Sequence, residues 1–108
     1  MGPEHPDVAY ALHGLANLYH KRGMDRQAEP LYQRTLSIRE QALGEQHPET
    51  AETLADFAAF YEDQGQRREA VVLYQRVLTI REQVLGPAHP RTTETREHLR
   101  ALRVAHSS

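Results

Sequence analysis

A five-residue frame, Gly-x-x-His-Pro, occurs three times, at Gly2–Pro6, Gly44–Pro48 and Gly86–Pro90. Each copy starts 42 residues after the one before (44 − 2 and 86 − 44). The match continues between the landmarks. Residues 2–43 and 44–85 agree at about 20 of 42 aligned positions, including Leu31-Tyr32-Gln33-Arg34 against Leu73-Tyr74-Gln75-Arg76. A fixed period of about 20–50 residues marks a solenoid, in which each unit buries its apolar face only against a neighbour. Function in such an array belongs to a surface rather than to a catalytic pocket, and the period alone names no ligand.

Within each period the pattern is that of a helix pair. Pro6 and Pro48 stand where a helix begins, since proline at the first helical position loses no internal hydrogen bond. Asp7 and Glu49 follow, placing negative charge at the positive end of the helix dipole. Leu12, Leu15, Ala16 and Tyr19 recur at helical spacing, and Leu54, Phe57, Ala58 and Tyr61 repeat them. Gly23 and Gly65 suit left-handed caps. The second helix carries Ala28, Leu31, Tyr32, Thr35 and Leu36, then Ala70, Leu73, Tyr74, Val77 and Leu78, and ends at Leu43-Gly44 and Leu85-Gly86. Helices are expected near 6–22, 25–43, 48–64, 67–85 and 90–105. Pro30 falls in about the first turn of its helix, where a missing N–H is tolerable.

Composition narrows the functional classes. A net charge of −2 provides no general attraction to nucleic acid or anionic lipid. The absence of cysteine removes disulfides and thiolate metal sites. No apolar run approaches the roughly 18 residues that span a bilayer, and the opening residues lack a basic start and an apolar stretch. The expected location is cytoplasmic.

These residues resemble the tetratricopeptide repeat, in the 42-residue variant of kinesin light chains and of many bacterial multidomain regulators. The repeat's marks are met by Ala16, Tyr19, Ala28, Tyr32 and Thr35, then by Ala58, Tyr61, Ala70, Tyr74 and Val77. The light-chain character lies in His-Pro-x-x-Ala (His5 to Ala9, His47 to Ala51), in Ala28-Glu29-Pro30-Leu31-Tyr32 and in the Ile-Arg-Glu-x-x-Leu-Gly endings. The resemblance implies an all-α fold: an α-solenoid of antiparallel helix pairs. Its parts are repeat one at 2–43, repeat two at 44–85 and a C-terminal capping helix at 86–106. It is specific for fold and unspecific for partner. Light-chain-type repeats carry paired asparagines in the first helix, where this chain has His13-Gly14 and Ala55-Asp56. A carboxylate clamp needs lysines and arginines on that face, and only Asn17 and Lys21 hint at one.

In the family the first helix of each pair lines the concave side. The resemblance therefore implies a partner-binding surface of Tyr10, His13, Asn17, His20 and Lys21 in repeat one. Glu52, Asp56, Ala59, Glu62 and Asp63, with Ala55, continue it in repeat two, and Glu94, Glu97, His98 and Ala101 in the terminal helix. Repeat two has four basic and eight acidic residues, against five of each in repeat one. One reading is a protein or peptide partner bearing Arg or Lys opposite Asp56, Glu62 and Asp63. The other is a set of carboxylates that only solvates a helix face.

Several chemistries are not expected. His5, His47 and His89 recur with the period and belong to the turn and helix start. His13 and His20 stand seven apart, whereas a two-His zinc pair prefers a spacing of four and further ligands, so no metal or cofactor is expected. No nucleophile constellation or phosphate loop is present, and the chain is not expected to be an enzyme. Arg26 and Arg67-Arg68 read as solvated turns. Ser107-Ser108 is an expected frayed end. The helix from Pro90 keeps Leu99 and Leu102 but has Arg96 and Arg100 where the repeat has Leu and Ala, which suits a polar cap. The opposite end has no such device. Val8, Leu12, Leu15, Leu36 and Leu43 are candidates for a bare apolar face there, met either by earlier repeats of a longer array or by a second copy in a homodimer.

Overall fold

The computed structural model describes residues 5–107, the side chains of Pro6 and of residues 105–107 apart. Gly2 to Glu4 of the first frame, and Ser108 of the expected frayed end, lie outside the described residues. Five helices follow one another: α1 (Pro6–Lys21), α2 (Asp25–Leu43), α3 (Pro48–Asp63), α4 (Arg67–Val84) and α5 (Pro90–Ser107). No strand is present among the described residues. The expected boundaries of the first four helices hold to within one residue, while α5 continues past the expected 105.

The frames work locally, as helix starts. His5 Nδ1 accepts the Asp7 N–H at 3.1 Å, His47 Nδ1 that of Glu49 at 3.0 Å, and His89 Nδ1 that of Arg91 at 3.1 Å. Histidine thus stands in for the usual Ser, Asp or Asn cap and satisfies one of the free donors of the first turn. At the other ends the chain turns through glycines at positive φ, 72° at Gly23 and 78° at Gly65, a region where a side chain is strained. Pro30 lies deeper than the first turn, as the sixth residue of α2. It is exposed, so water can serve the Arg26 carbonyl that loses its intrahelical donor.

The chain forms two compact units, divided between Thr53 and Leu54, within α3. In the first, α1 and α2 pack together. Ala9, Ala16, Ala28, Tyr32 and Ile38 are buried, with Thr50 and Ala51 from the start of α3. Tyr32 is wholly enclosed, and Ala9, Ala16 and Ala28 are as fully buried. In the second unit, Ala58, Ala70, Tyr74, Leu99 and Leu102 form the core, flanked by Tyr61, Val71, Leu73 and Leu78. Ala58, Ala70 and Tyr74 are the repeat equivalents of Ala16, Ala28 and Tyr32, so the same alternation of small and large residues builds each unit. Each well-buried Leu contributes roughly 1.5–3 kcal/mol. No buried side-chain nitrogen or oxygen among the described residues lacks a hydrogen-bond partner.

Candidate functional site

Two polar networks organise the first unit. Arg39, on α2, is only 3% exposed. Its Nη1 lies 3.0 Å from His13 Nδ1 on α1, and donates to the Glu49 carbonyl at 3.2 Å and to Thr53 Oγ1 at 2.9 Å. Its Nη2 stands 3.7 Å from the Glu49 carboxylate. One guanidinium therefore ties α1, α2 and the beginning of α3, using the several donors of its planar fork. The second network centres on Tyr32. Its hydroxyl donates to Asn17 Oδ1 at 2.5 Å and lies 3.5 Å from His20 Nδ1. The rings of His13 and His20 both stand edge-on to it, at 6.4 Å.

The second unit repeats this plan with other residues. Arg81 Nη1 donates to Thr95 Oγ1 at 2.7 Å, fourteen residues on, as Arg39 does to Thr53. Thr92 Oγ1 donates to the Arg81 carbonyl at 3.2 Å. Tyr74 takes the place of Tyr32, and its hydroxyl donates to Glu62 Oε1 at 3.3 Å. The same carboxylate oxygen is 2.8 Å from His98 Nε2, and the His98 ring stands edge-on to Tyr74 at 4.8 Å.

Burial, then the adjacent Glu62 carboxylate, then Asp56 and Asp63, push the Tyr74 hydroxyl far above the ordinary tyrosine value of about 10. A raised folded value means that stability is fully present below pH 10 and is lost as pH rises beyond it, because the unfolded chain releases the proton first. Tyr74 is expected to ionise well above the ordinary tyrosine value in a spectrophotometric titration at alkaline pH. Tyr74→Phe should flatten the decline of stability above pH 10. A Tyr74→Phe variant whose stability falls above pH 10 as steeply as the parent's would contradict this.

The residues expected on the partner-binding face are distributed unevenly. Tyr10, Lys21, Glu52 and Asp63 are exposed; Asn17, His20, Asp56, Ala59 and Glu62 are half-buried; His13 is buried beneath Arg39. The structure brings His13, Asn17 and His20 together around Tyr32, and Glu62 against Tyr74, whose hydroxyl also feels the charges of Asp56 and Asp63. Of the terminal-helix candidates, His98 joins the Tyr74 cluster. Arg39, Arg81, Thr53 and Thr95 were not singled out from sequence. Their signal was present, since the arginine of each Ile-Arg-Glu ending is followed fourteen residues later by threonine. Arg96, expected to make the last helix polar, pairs with Glu82 at 3.3 Å and donates to the Pro87 carbonyl at 3.2 Å. Among the described residues no three or more His, Asp or Glu side chains converge to hold a metal ion, and no helix is long and apolar enough to cross a membrane.

Comparison with known proteins places this geometry. Residues 7–83 match the family model of the tetratricopeptide repeat. The crystal structure of BtubC (BKLC) from P. vanneervenii superposes with a TM-score of 0.84 at 20% identity, over 98% of this chain and 42% of that one. A kinesin light chain-type protein of nearly identical TPR-like repeats from Podosopora anserina gives 0.78 at 28% identity, over 96% of this chain and 49% of that one. A single-residue variant of that protein gives 0.79, again at 28% identity. The chain therefore spans less than half the length of these structures. No curated protein matches it significantly. The fold class is all-α, the helix-pair repeat of α-solenoids.

Proposed function

The chain belongs to the tetratricopeptide repeat family, and from that premise we propose that it is a protein-interaction module receiving a basic peptide or helical segment along the first helices of its repeats. Members of the family generally act as protein-interaction scaffolds without catalysis. In this reading 2–43 and 44–85 are the binding repeats and 86–106 is their cap. The observation that carries it is the negative charge that Glu62, Asp56 and Asp63 bring to α3, felt at the Tyr74 hydroxyl, which donates to Glu62. An acidic helix face favours a cationic segment, speeds encounter and sets register. Tyr10 and Lys21, exposed on α1, offer aromatic and hydrogen-bonding groups at the first helix of the other repeat.

The test is fluorescence anisotropy with an Arg/Lys-rich peptide and its Asp/Glu counterpart, at low and at high salt. The basic peptide should bind, and its affinity should fall as salt rises. Asp56→Asn combined with Asp63→Asn should weaken it at least tenfold. These two positions are chosen because Glu62 also holds Tyr74 and His98. An unchanged melting temperature would separate a lost site from a lost fold. Equal binding of both peptides, or of neither, would remove the reading.

A further inference from the structure

The first helices α1, α3 and α5 carry one repeat-equivalent face in two environments. On α3 it consists of Thr50, Thr53, Phe57 and Phe60, and on α5 of Thr92, Thr95, Leu99 and Leu102; all eight are buried. The same positions of α1 are Val8, Ala11, Leu15 and Leu18. There all four are exposed, with Val8 at 39%, Leu15 at 39% and Leu18 at 44%. Steps of three, four and three place them in one stripe. It lies opposite the side that Ala9, His13 and Ala16 bury.

The two covered faces show what such a face receives, and how. Thr50 Oγ1 donates to the Gly44 carbonyl at 2.8 Å, and Thr53 Oγ1 accepts from Arg39 at 2.9 Å. Thr92 Oγ1 donates to the Arg81 carbonyl at 3.2 Å, and Thr95 Oγ1 accepts from Arg81 at 2.7 Å. Each threonine pair thus satisfies the end of the second helix before it. In α1 both threonines are replaced, by Val8 and Ala11. An Ile-Arg-Glu helix ending docked there would bury its arginine and a carbonyl without these partners, which is unfavourable. The stripe suits an apolar helix face instead, and α1 of another copy supplies one. The ends of the stripe also differ in charge. Asp7 is exposed at its start, and Lys21 and Arg22 are exposed at its close.

We propose that α1 is a self-association face: two copies pair α1 against α1, antiparallel about a two-fold axis, through Val8, Ala11, Leu15 and Leu18. The antiparallel sense sets Asp7 of one copy beside the basic end of the other and opposes the two helix dipoles. A single helix against its copy makes a small interface, below about 1,200 Å² in total, so the dimer is weak and concentration-dependent. The proposal does not rest on the basic-peptide reading: the apolar stripe takes no part in that reading, and Lys21 alone is common to both.

Sedimentation velocity between micromolar and millimolar protein tests it. The mass should rise from monomer towards dimer and stop there. Leu15→Glu with Leu18→Glu should weaken association at least tenfold, and the helical circular-dichroism signal of the dilute variant shows that the fold persists. Asp7→Lys alone should weaken the dimer, as should Lys21→Glu with Arg22→Glu. All three together should restore it, because reversing both ends recreates the pairing. A monomer at every concentration overturns the proposal. A mass growing past dimer overturns the closed two-fold, and failure of the triple reversal to restore association overturns the antiparallel arrangement.

Discussion

Replacing Arg39 by Ala is expected to lower the unfolding free energy by about 3–5 kcal/mol, the range for breaking a buried charged network by removing one partner. Arg39 is almost wholly enclosed, and its hydrogen bonds join three successive helices. Its loss leaves His13, the Glu49 carbonyl and Thr53 short of a donor in a place with little access to water, and opens a cavity as well. Because a small domain is stable by only about 5–15 kcal/mol, the variant should lie close to unfolding at room temperature. Arg39→Lys should recover only part of the loss, since one ammonium cannot reproduce the planar fork. Arg26→Ala, at an exposed site, should stay within about 0.5 kcal/mol of the parent. Urea unfolding followed by circular dichroism gives all three values. An Arg39→Ala midpoint equal to that of Arg26→Ala would show that the network holds nothing together.

The second large effect is expected at Phe60. Its side chain is fully buried and packs tilted against Phe57, with ring centroids 6.1 Å apart, and against Tyr61 at 5.6 Å. Phe60→Ala should cost about 3–5 kcal/mol, the lost transfer free energy together with the cavity left behind. The same column of the repeat holds Leu18 on α1 and Leu102 on α5. Leu102 is buried, and its truncation to Ala should cost about 2–5 kcal/mol. Leu18 is exposed, and Leu18→Ala, measured at dilute concentration, should cost less than about 1 kcal/mol. Three thermal melts decide the matter. Equal losses at 18, 60 and 102 would mean that the repeat treats the three helices alike, against the burial described above.

The helix pairs were legible because their signals are local. Prolines after histidines, glycines before each turn and an apolar residue every three or four positions act over one or two turns of helix. The helix-start role of His5, His47 and His89 was legible for the same reason, since each imidazole reaches only two residues along. The candidate site was legible in part. His13, Asn17 and His20 share a helix, so their grouping follows from spacing. That His13 would be buried against Arg39, twenty-six residues away, does not follow, because no local pattern tells whether a polar residue faces solvent or a guanidinium. The same holds for Glu62, whose carboxylate meets His98 from a helix thirty-six residues on.

The sequence by itself determined the 42-residue period, the five helices, the bounds of the first four to within a residue and the apolar residues eligible for burial. All of these rest on backbone geometry and on propensities that operate between near neighbours. Only the tertiary structure decided which of the equivalent positions are enclosed: Thr53 and Thr95 receive an arginine, Ala11 is exposed, and Leu18 stays bare where Phe60 and Leu102 are covered. The physical reason is that burial belongs to the neighbour as much as to the residue. Positions with the same local pattern differ in energy as soon as one has a helix packed over it and another does not.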